Sequence, residues 1–164
     1  MTAGFEETDL ARFVTDSYPR VLRTVALICD STASAEDAVH EALARAWEHR
    51  ATIEHLDRWV LTVALNQARS RWRKVGRREV SLGEGRGAPL EPAAEWVDLH
   101  RAVRSLPRRQ REVVALHYFA DLPIREVGAV LGITSGGVKH ALFRARRSLG
   151  TVGLEPEGLE EEAK

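Results

Sequence analysis

Apolar residues recur at spacings of three and four through most of the chain, which predicts an all-α fold. The first apolar face belongs to a helix or helix pair that Pro19 must kink or divide. Its positions are Leu10, Phe13, Val14, Val21, Leu22, Val25 and Ile28. The next helix begins near Ala35, with Ser34 and Asp37 as a capping pair, and has an acidic outer face. Its inward positions are Ala35, Ala38, Val39, Ala42, Leu43, Ala46 and Trp47.

The helix predicted over residues 56–74 changes character along its length. Its first half is apolar nearly all round, which is typical of a helix in the middle of a small bundle. A polar stripe follows it at spacings of four, three and four: Thr62, Asn66, Arg69 and Arg73. The end is strongly basic and contains Trp72, and an aromatic ring beside cations can stack a base while phosphates are neutralised. A core position for Trp72 explains the pattern equally well.

Residues 121–149 predict two short helices joined by a tight turn. Pro123 suits the first turn of one helix, Gly132 ends it, and Thr134 caps the next. Gly128 lies where the two helices must cross closely. The second helix has an apolar stripe of Val138, Leu142, Ala145 and Leu149, and a basic face of His140, Arg144 and Arg147. This pattern indicates a helix-turn-helix, with an ordinary hairpin whose arginines are solvated as the alternative.

Glycine and proline interrupt residues 76–94, so this segment is predicted to be a flexible linker. It separates a domain over residues 1–75 from one over residues 95–150. Residues 151–164 form an acidic tail that is predicted to be disordered. In the second domain a helix begins at Pro107, and cations crowd its first turn, where they are unfavourable unless phosphates lie nearby. These cations are Arg108, Arg109 and Arg111.

The net charge of zero is the sum of opposed blocks. Residues 1–57 carry 5 basic and 11 acidic side chains, residues 58–86 carry 8 and 2, and residues 108–150 carry 8 and 3. Two separated basic blocks suit contact with a polyanion at two places. The acidic N-terminal block suits a basic protein partner.

Several classes of function find no support in the sequence. The N-terminus lacks the basic-then-apolar plan of a signal peptide, and no apolar run is long enough to span a bilayer. Cys29 lies in an apolar helical pattern, which predicts a buried thiol and a cytoplasmic setting. The six histidines have no metal-ligand spacing, and no nucleophile or phosphate loop has a recognisable context. We therefore expect no catalytic residue, metal or cofactor.

The chain resembles the extracytoplasmic-function sigma factors, the smallest type of bacterial RNA polymerase sigma subunit, over about residues 10–149. The segment from Ala35 to Trp47 resembles the part of the family that binds core polymerase, and residues 59–66 resemble the helix that handles the −10 element. Residues 106–112 and 142–147 resemble the second, −35-binding domain. The resemblance implies a region 2-like bundle followed by a region 4-like helix-turn-helix bundle.

The resemblance also implies roles for residues of the first domain. Three would face the clamp helices of the polymerase's largest subunit: Asp37, His40 and Glu41. His40 stands where the family usually has glutamine, so we expect this contact to be altered or slightly pH-sensitive. Asn66 and the loop over residues 48–55 would hold a base flipped from the −10 strand. Four further side chains would hold that strand: Arg69, Trp72, Arg73 and Lys74.

The second domain would contact the −35 element and the flap of the second-largest polymerase subunit. Its implied DNA contacts are Thr134, Ser135, Lys139, His140, Arg144, Arg108 and Arg111. The chain departs from the family at Gly137, where threonine is common, and at Ala141, where arginine is frequent. We expect base reading to shift to Lys139, His140 and Arg144. An anti-sigma partner is implied by the family, without a motif in this chain.

The predicted function is promoter recognition, −10 strand separation and transcription initiation by a dissociable polymerase subunit. The alternative is a stand-alone helix-turn-helix regulator of duplex DNA, whose first domain binds a ligand or forms a dimer. A helical adaptor without a nucleic-acid role is the third hypothesis. The acidic helix from Ala35 and the basic helix end over residues 69–78 favour the sigma factor, since a stand-alone regulator needs neither.

Overall fold

A computed structural model describes residues 4–29, 31–75 and 94–150, and every element in these ranges is helical, as predicted. The α-helices of the described ranges are α1 (Glu7–Arg12), α2 (Tyr18–Ile28), α3 (Thr32–Glu48), α4 (Leu56–Val75), α5 (Ala94–Arg104), α6 (Arg108–Val114), α7 (Ile124–Leu131) and α8 (Ser135–Leu149). π-Helical turns continue α1 over Phe13–Ser17 and α6 over Ala115–Phe119, and a 3-10 turn covers Arg50–Thr52. The predicted linker, apart from its last residue, and the predicted acidic tail lie outside the described residues.

The N-terminal helices are divided just before Pro19. This proline lies in the first turn of α2, where its missing N–H interrupts no helical hydrogen bond. The division falls on the π-helical turn Phe13–Ser17. A π turn changes the angular phase of the residues along a helix, so an apolar pattern with an α-helical period misplaces some of them. Phe13 is buried as expected, but Val14 is 52% exposed, and its predicted core position is wrong.

The capping pair predicted for α3 is wrong, because the helix begins three residues earlier. Ser31 is the N-cap, and its side-chain oxygen accepts a hydrogen bond of 3.1 Å from the Ser34 N–H. Most of the predicted inward stripe is buried: Ala35, Ala38, Val39, Ala42 and Ala46. Trp47 is an exception at 41% exposed, and the guanidinium of Arg50 lies 4.8 Å from its ring centroid.

The predicted helix-turn-helix is formed by α7 and α8. Gly132 ends α7 with a φ of 68°, in the left-handed region that favours glycine. The Thr134 hydroxyl caps α8 by accepting a hydrogen bond of 3.1 Å from the Gly137 N–H. A Cβ added to Gly128 would lie 2.7 Å from the carbonyl oxygen of Ile133. The close approach that requires glycine there is therefore chiefly to the turn between the helices.

The two halves of the chain share one continuous hydrophobic core in the described structure. α2 packs against α3 and α4 of the first domain, and also against α5, α6 and Ala115–Phe119 of the second. Cys29, which directly follows the last residue of α2, has a buried side chain, as predicted. This packing brings one edge of α4 within ion-pair distance of α6 and α7.

Candidate functional site

The outer face of α3 carries the residues that the sequence assigns to polymerase binding. Asp37 and His40 are exposed. Glu41 accepts a hydrogen bond of 3.3 Å from Arg71 of α4. The acidic face of α3 therefore borders directly on the basic end of α4.

His40 lies against a tyrosine of α2. The Tyr18 hydroxyl is 3.2 Å from His40 Nε2, and the two rings stack with centroids 6.1 Å apart. Burial, and to a smaller degree the carboxylate of Glu36, raise the pKa of the Tyr18 phenol above its ordinary value. The phenol is therefore neutral at physiological pH and gives the histidine a fixed polar partner.

The polar stripe of α4 is divided between solvent and the second domain. Arg69 is 18% exposed, and its Nε lies 3.4 Å from a carboxylate oxygen of Glu112 in α6. Three other predicted DNA contacts are exposed: Asn66, Arg73 and Lys74. Trp72 belongs to α4, but its side chain lies outside the described structure, so the role of its ring stays a prediction.

A cleft of about 280 Å³ lies beside the loop that precedes α4. Glu54 and His55 of that loop line it together with Asp9 and Asp16 from the N-terminal helices. Asn66 is exposed on α4 and does not line this cleft. Acidic residues outnumber the one arginine of the lining, since Asp57 is present as well and Arg12 is the arginine.

α8 presents a basic face opposite its apolar stripe. The stripe is buried as predicted at Val138, Leu142, Ala145 and Leu149. Five predicted DNA contacts of the helix and its cap are exposed: Thr134, Ser135, Lys139, His140 and Arg144. Ala141 is 7% exposed, so the position where the family often has arginine is covered here.

Phe143 is a candidate DNA contact that the sequence pattern missed. Its side chain is 57% exposed, and the Arg147 guanidinium lies 5.9 Å from its ring centroid. An exposed phenylalanine on a helix that enters the major groove can contact a thymine methyl group. Because Phe143 directly follows Leu142 in the sequence, the pattern alone suggests that it belongs to the apolar stripe. The helical period, however, places it about 100° away around the helix axis.

The arginines at the start of α6 have a carboxylate partner within the protein. Glu112 is 2% exposed and pairs with Arg108 at 3.1 Å and with Arg109 at 3.3 Å, in addition to Arg69. Glu112 thus gives Arg108 and Arg109 a counter-charge within the protein, so their position in the first turn of α6 is stabilised without a phosphate. Arg111 lies partly buried on the same helix.

The described ranges contain no group of three or more histidine, cysteine, aspartate or glutamate residues that could hold a metal ion. Of the helices described, none combines the length and the apolar character that crossing a membrane requires.

Comparison with known proteins shows two matching family models, Sigma-70 region 2 over residues 13–78 and Sigma-70, region 4 over residues 96–149. The ECF RNA polymerase sigma factor SigL of Mycobacterium tuberculosis is 30% identical over 160 residues, which cover 90% of each chain. The chain belongs to the extracytoplasmic-function RNA polymerase sigma factors. The RNA polymerase sigma-E factor of Streptomyces antibioticus is also 30% identical, over 88% of this chain and 86% of its own length.

A solved structure supports the fold of this sigma factor. It is the sigma factor RpoE of Bartonella quintana in complex with the anti-sigma factor NepR. The likeness has a TM-score of 0.70 and covers 88% of this chain and 96% of RpoE, at 23% sequence identity.

As a sigma factor, the protein binds RNA polymerase and directs it to promoters. The region 2 match contains α2, α3 and α4, and the region 4 match begins within α5 and ends with α8. The two matches in one chain disfavour the stand-alone regulator. Sigma factors are non-catalytic specificity subunits of the polymerase.

Proposed function

We propose that this sigma factor binds core polymerase through the outer face of α3, captures the −10 strand along α4 and binds the −35 element with α8. The contact between Glu41 and Arg71 at 3.3 Å carries the proposal, because it joins an acidic face to a basic one. A protein partner and a DNA strand can therefore be bound side by side on neighbouring helices.

The polymerase contact would be made by Asp37, His40 and Glu41 on the clamp helices of the largest subunit. Exposed carboxylates favour a basic partner surface and speed its association. The second domain would contact the flap of the second-largest subunit. The stacked Tyr18 would fix the orientation of His40 in this contact.

Strand separation at the −10 element would be driven by binding energy. Extruding a base costs a few kcal/mol, which its binding by Asn66 and the loop before α4 must offset. Arg73 and Lys74 would neutralise the adjacent phosphates, and the ring of Trp72 would stack on a base. No bond is made or broken in this process, so we infer that the subunit itself is non-catalytic and needs no cofactor.

The −35 element would be read in the major groove by the exposed face of α8. Lys139, His140 and Arg144 would contact base edges and phosphates, and Phe143 would contact a thymine methyl. The capped N-terminus of α8, with Thr134 and Ser135, would donate backbone N–H groups to a phosphate. Arg108 and Arg111 of α6 would supply further phosphate contacts.

We also propose an anti-sigma protein as a partner that holds this sigma factor inactive. The support is the Bartonella quintana RpoE, which shares the fold and was solved in complex with the anti-sigma factor NepR. Co-purification of the tagged chain from its own organism would test this. Recovery of the sigma factor with polymerase alone would contradict it.

The residue assignments can be tested by transcription with purified core polymerase. Asp37→Arg is expected to reduce specific initiation at least about tenfold, because like charges across an interface cost several kcal/mol. Glu7→Arg is the matched control, since it reverses a charge at an exposed position of α1 and should initiate as the wild type does.

Two results would contradict the proposal. If the wild-type chain, added to core polymerase, produces no specific initiation on a premelted template, the proposal that it captures the −10 strand is wrong. If Asp37→Arg initiates normally, the polymerase face is assigned wrongly. A gel shift gives a separate check, because tight specific binding to duplex DNA without polymerase would favour the stand-alone regulator.

A further inference from the structure

The chain just before α1 packs across the loop that precedes α4. We call residues 4–6 the anchor segment and residues 48–55 the −10 loop, after the role proposed for the loop. The Phe5 N–H donates a hydrogen bond of 3.0 Å to the carbonyl oxygen of Arg50. A Cβ added to Gly4 would overlap that same oxygen. The two backbones are therefore in direct contact, and glycine is required at position 4.

An aromatic cluster covers this backbone contact. The Phe5 side chain is 7% exposed, and its ring meets that of Trp47 edge-on, with centroids 6.2 Å apart. Arg50 Nη1 donates a hydrogen bond of 3.0 Å to the Trp47 carbonyl oxygen, and the same guanidinium lies 4.8 Å from the Trp47 ring centroid. Trp47 is the last residue but one of α3. The cluster thus joins the anchor segment, the end of α3 and the start of the −10 loop.

The first half of the −10 loop has no buried side chain of its own. Residues 48–52 are all exposed. In the second half, Ile53 is 3% exposed, and Leu56, which begins α4, is 8% exposed. The second half is therefore held by burial of residues at its own end, whereas the first half depends on the buried ring of Phe5.

The anchor segment is itself fixed by α1. The Glu6 N–H donates a hydrogen bond of 2.9 Å to Oδ2 of Asp9, in a capping box that joins the segment to this helix. The cleft of about 280 Å³ is lined by Phe5 of the segment and by Glu54 and His55 of the loop, both of which are exposed. α1 therefore holds the segment against the −10 loop and leaves polar side chains of the loop open to solvent.

We infer that Gly4 and Phe5 are positioning residues for the −10 element: they hold the −10 loop in one conformation, and base discrimination by the loop depends on that conformation. The inference rests on the proposed role of the loop. A loop that becomes ordered only on binding loses conformational entropy at that step, which weakens binding. A loop with several conformations can also adapt to the wrong base, so its discrimination between bases falls as well.

The test measures base discrimination by polymerase that carries the full-length protein. The template is a promoter that the wild type transcribes from genomic DNA of its own organism, randomised over the −10 element and marked by a barcode in the transcribed region. Sequencing of the transcripts gives the ratio of preferred to disfavoured base at each position. Gly4→Ala and Phe5→Ala should each lower the largest −10 ratio at least about threefold, since an unordered loop contributes less to the difference between bases. Discrimination over a randomised −35 element should be unchanged.

Control variants separate positioning from stability. Ile28→Ala removes a side chain that is 6% exposed at the end of α2, just before α3 in the sequence. The −10 loop follows the other end of α3, about 25 Å away for a helix of 17 residues. This variant should lower the yield from all templates and keep the base ratios, because lost stability reduces the amount of active protein and not its preference.

Two further variants bracket the contact itself. Glu7→Ala, at an exposed position of α1, is the matched control for Gly4→Ala and should discriminate as the wild type does. Phe5→Leu keeps an apolar side chain against Trp47 and should retain most of the discrimination that Phe5→Ala loses.

Hydrogen exchange of the free protein supplies the second readout. The amides of residues 50–53 should exchange several-fold faster in Gly4→Ala and Phe5→Ala than in Glu7→Ala. The inference is overturned, with the proposed function left standing, if these amides exchange equally in all variants, if both variants keep the −10 ratios of the wild type, or if Ile28→Ala loses them equally. A wild type that discriminates at no −10 position would instead overturn the proposed role of the loop, and the inference with it.

Discussion

Gly128 and Gly136 both lie in helices of the helix-turn-helix, but their surroundings differ. A Cβ at Gly128 would lie 2.7 Å from the backbone oxygen of Ile133, whereas at Gly136 the nearest atom is the Thr134 hydroxyl at 3.9 Å. We expect Gly128→Ala to destabilise the protein by about 1–3 kcal/mol, because the turn must shift. Gly136→Ala should be neutral or stabilise it by up to about 1 kcal/mol through helix propensity. Urea unfolding measures both, and equal effects would contradict the predicted difference.

His100 in α5 makes the stability of the protein depend on pH. Burial, and to a smaller degree the charge of Arg104, lower the pKa of His100 below its ordinary value. As the pH falls, the unfolded chain therefore takes up the proton first, so stability is full above about pH 6.5 and decreases below it. His100→Gln should reduce the loss between pH 7.5 and pH 5.5, measured by urea unfolding. An unchanged loss in this variant would contradict the assignment.

At the scale of single elements, a substitution on the exposed face of α8 should weaken promoter binding and leave the free energy of unfolding nearly unchanged. Phe143 is 57% exposed, so Phe143→Ala should change the free energy of unfolding by less than about 0.5 kcal/mol. The same substitution should weaken the polymerase–promoter complex by roughly 1 kcal/mol, or about fivefold, through the lost thymine contact. Ser148→Ala, at an exposed position near the end of the helix, is the control. Unchanged promoter binding by Phe143→Ala would show that Phe143 does not contact the promoter.

Local spacing predicts the elements well where one local interaction decides the outcome. The apolar stripe of α8 and the Thr134 cap follow from residues within a few positions of one another. The spacing alone misplaces the start of α3, because Ser31 and Ser34 are both suitable caps and the sequence offers no means of choosing between them. Trp47 is exposed although its spacing is inward, since its surroundings depend on distant residues such as Phe5.

At the scale of the whole molecule, the sequence predicts two domains but not their contact. Arg58 and Glu126 are 68 positions apart, and no period or motif relates them. The sequence assigns Arg69 to the −10 element and Arg108 to the −35 element, whereas the structure places both beside Glu112. Charge blocks indicate that a polyanion can bind. They do not indicate which carboxylates of the same chain pair with those cations within the protein.

The shared core predicts that the two domains unfold together. Leu122 is 7% exposed and lines a cavity of about 120 Å³ together with Val21 and Leu61 of the first domain, so Leu122→Ala should weaken the coupling between the domains as well as the second domain itself. Calorimetry should show one two-state transition for the wild type and a ratio of van't Hoff to calorimetric enthalpy below one for the variant. Leu131→Ala is the control, because Leu131 is 5% exposed in α7, which packs mainly against α8 and Ala115–Phe119. It should lower the midpoint while keeping a single transition. Two transitions in the wild type would show that the domains fold independently, and that the contact between them adds no cooperativity.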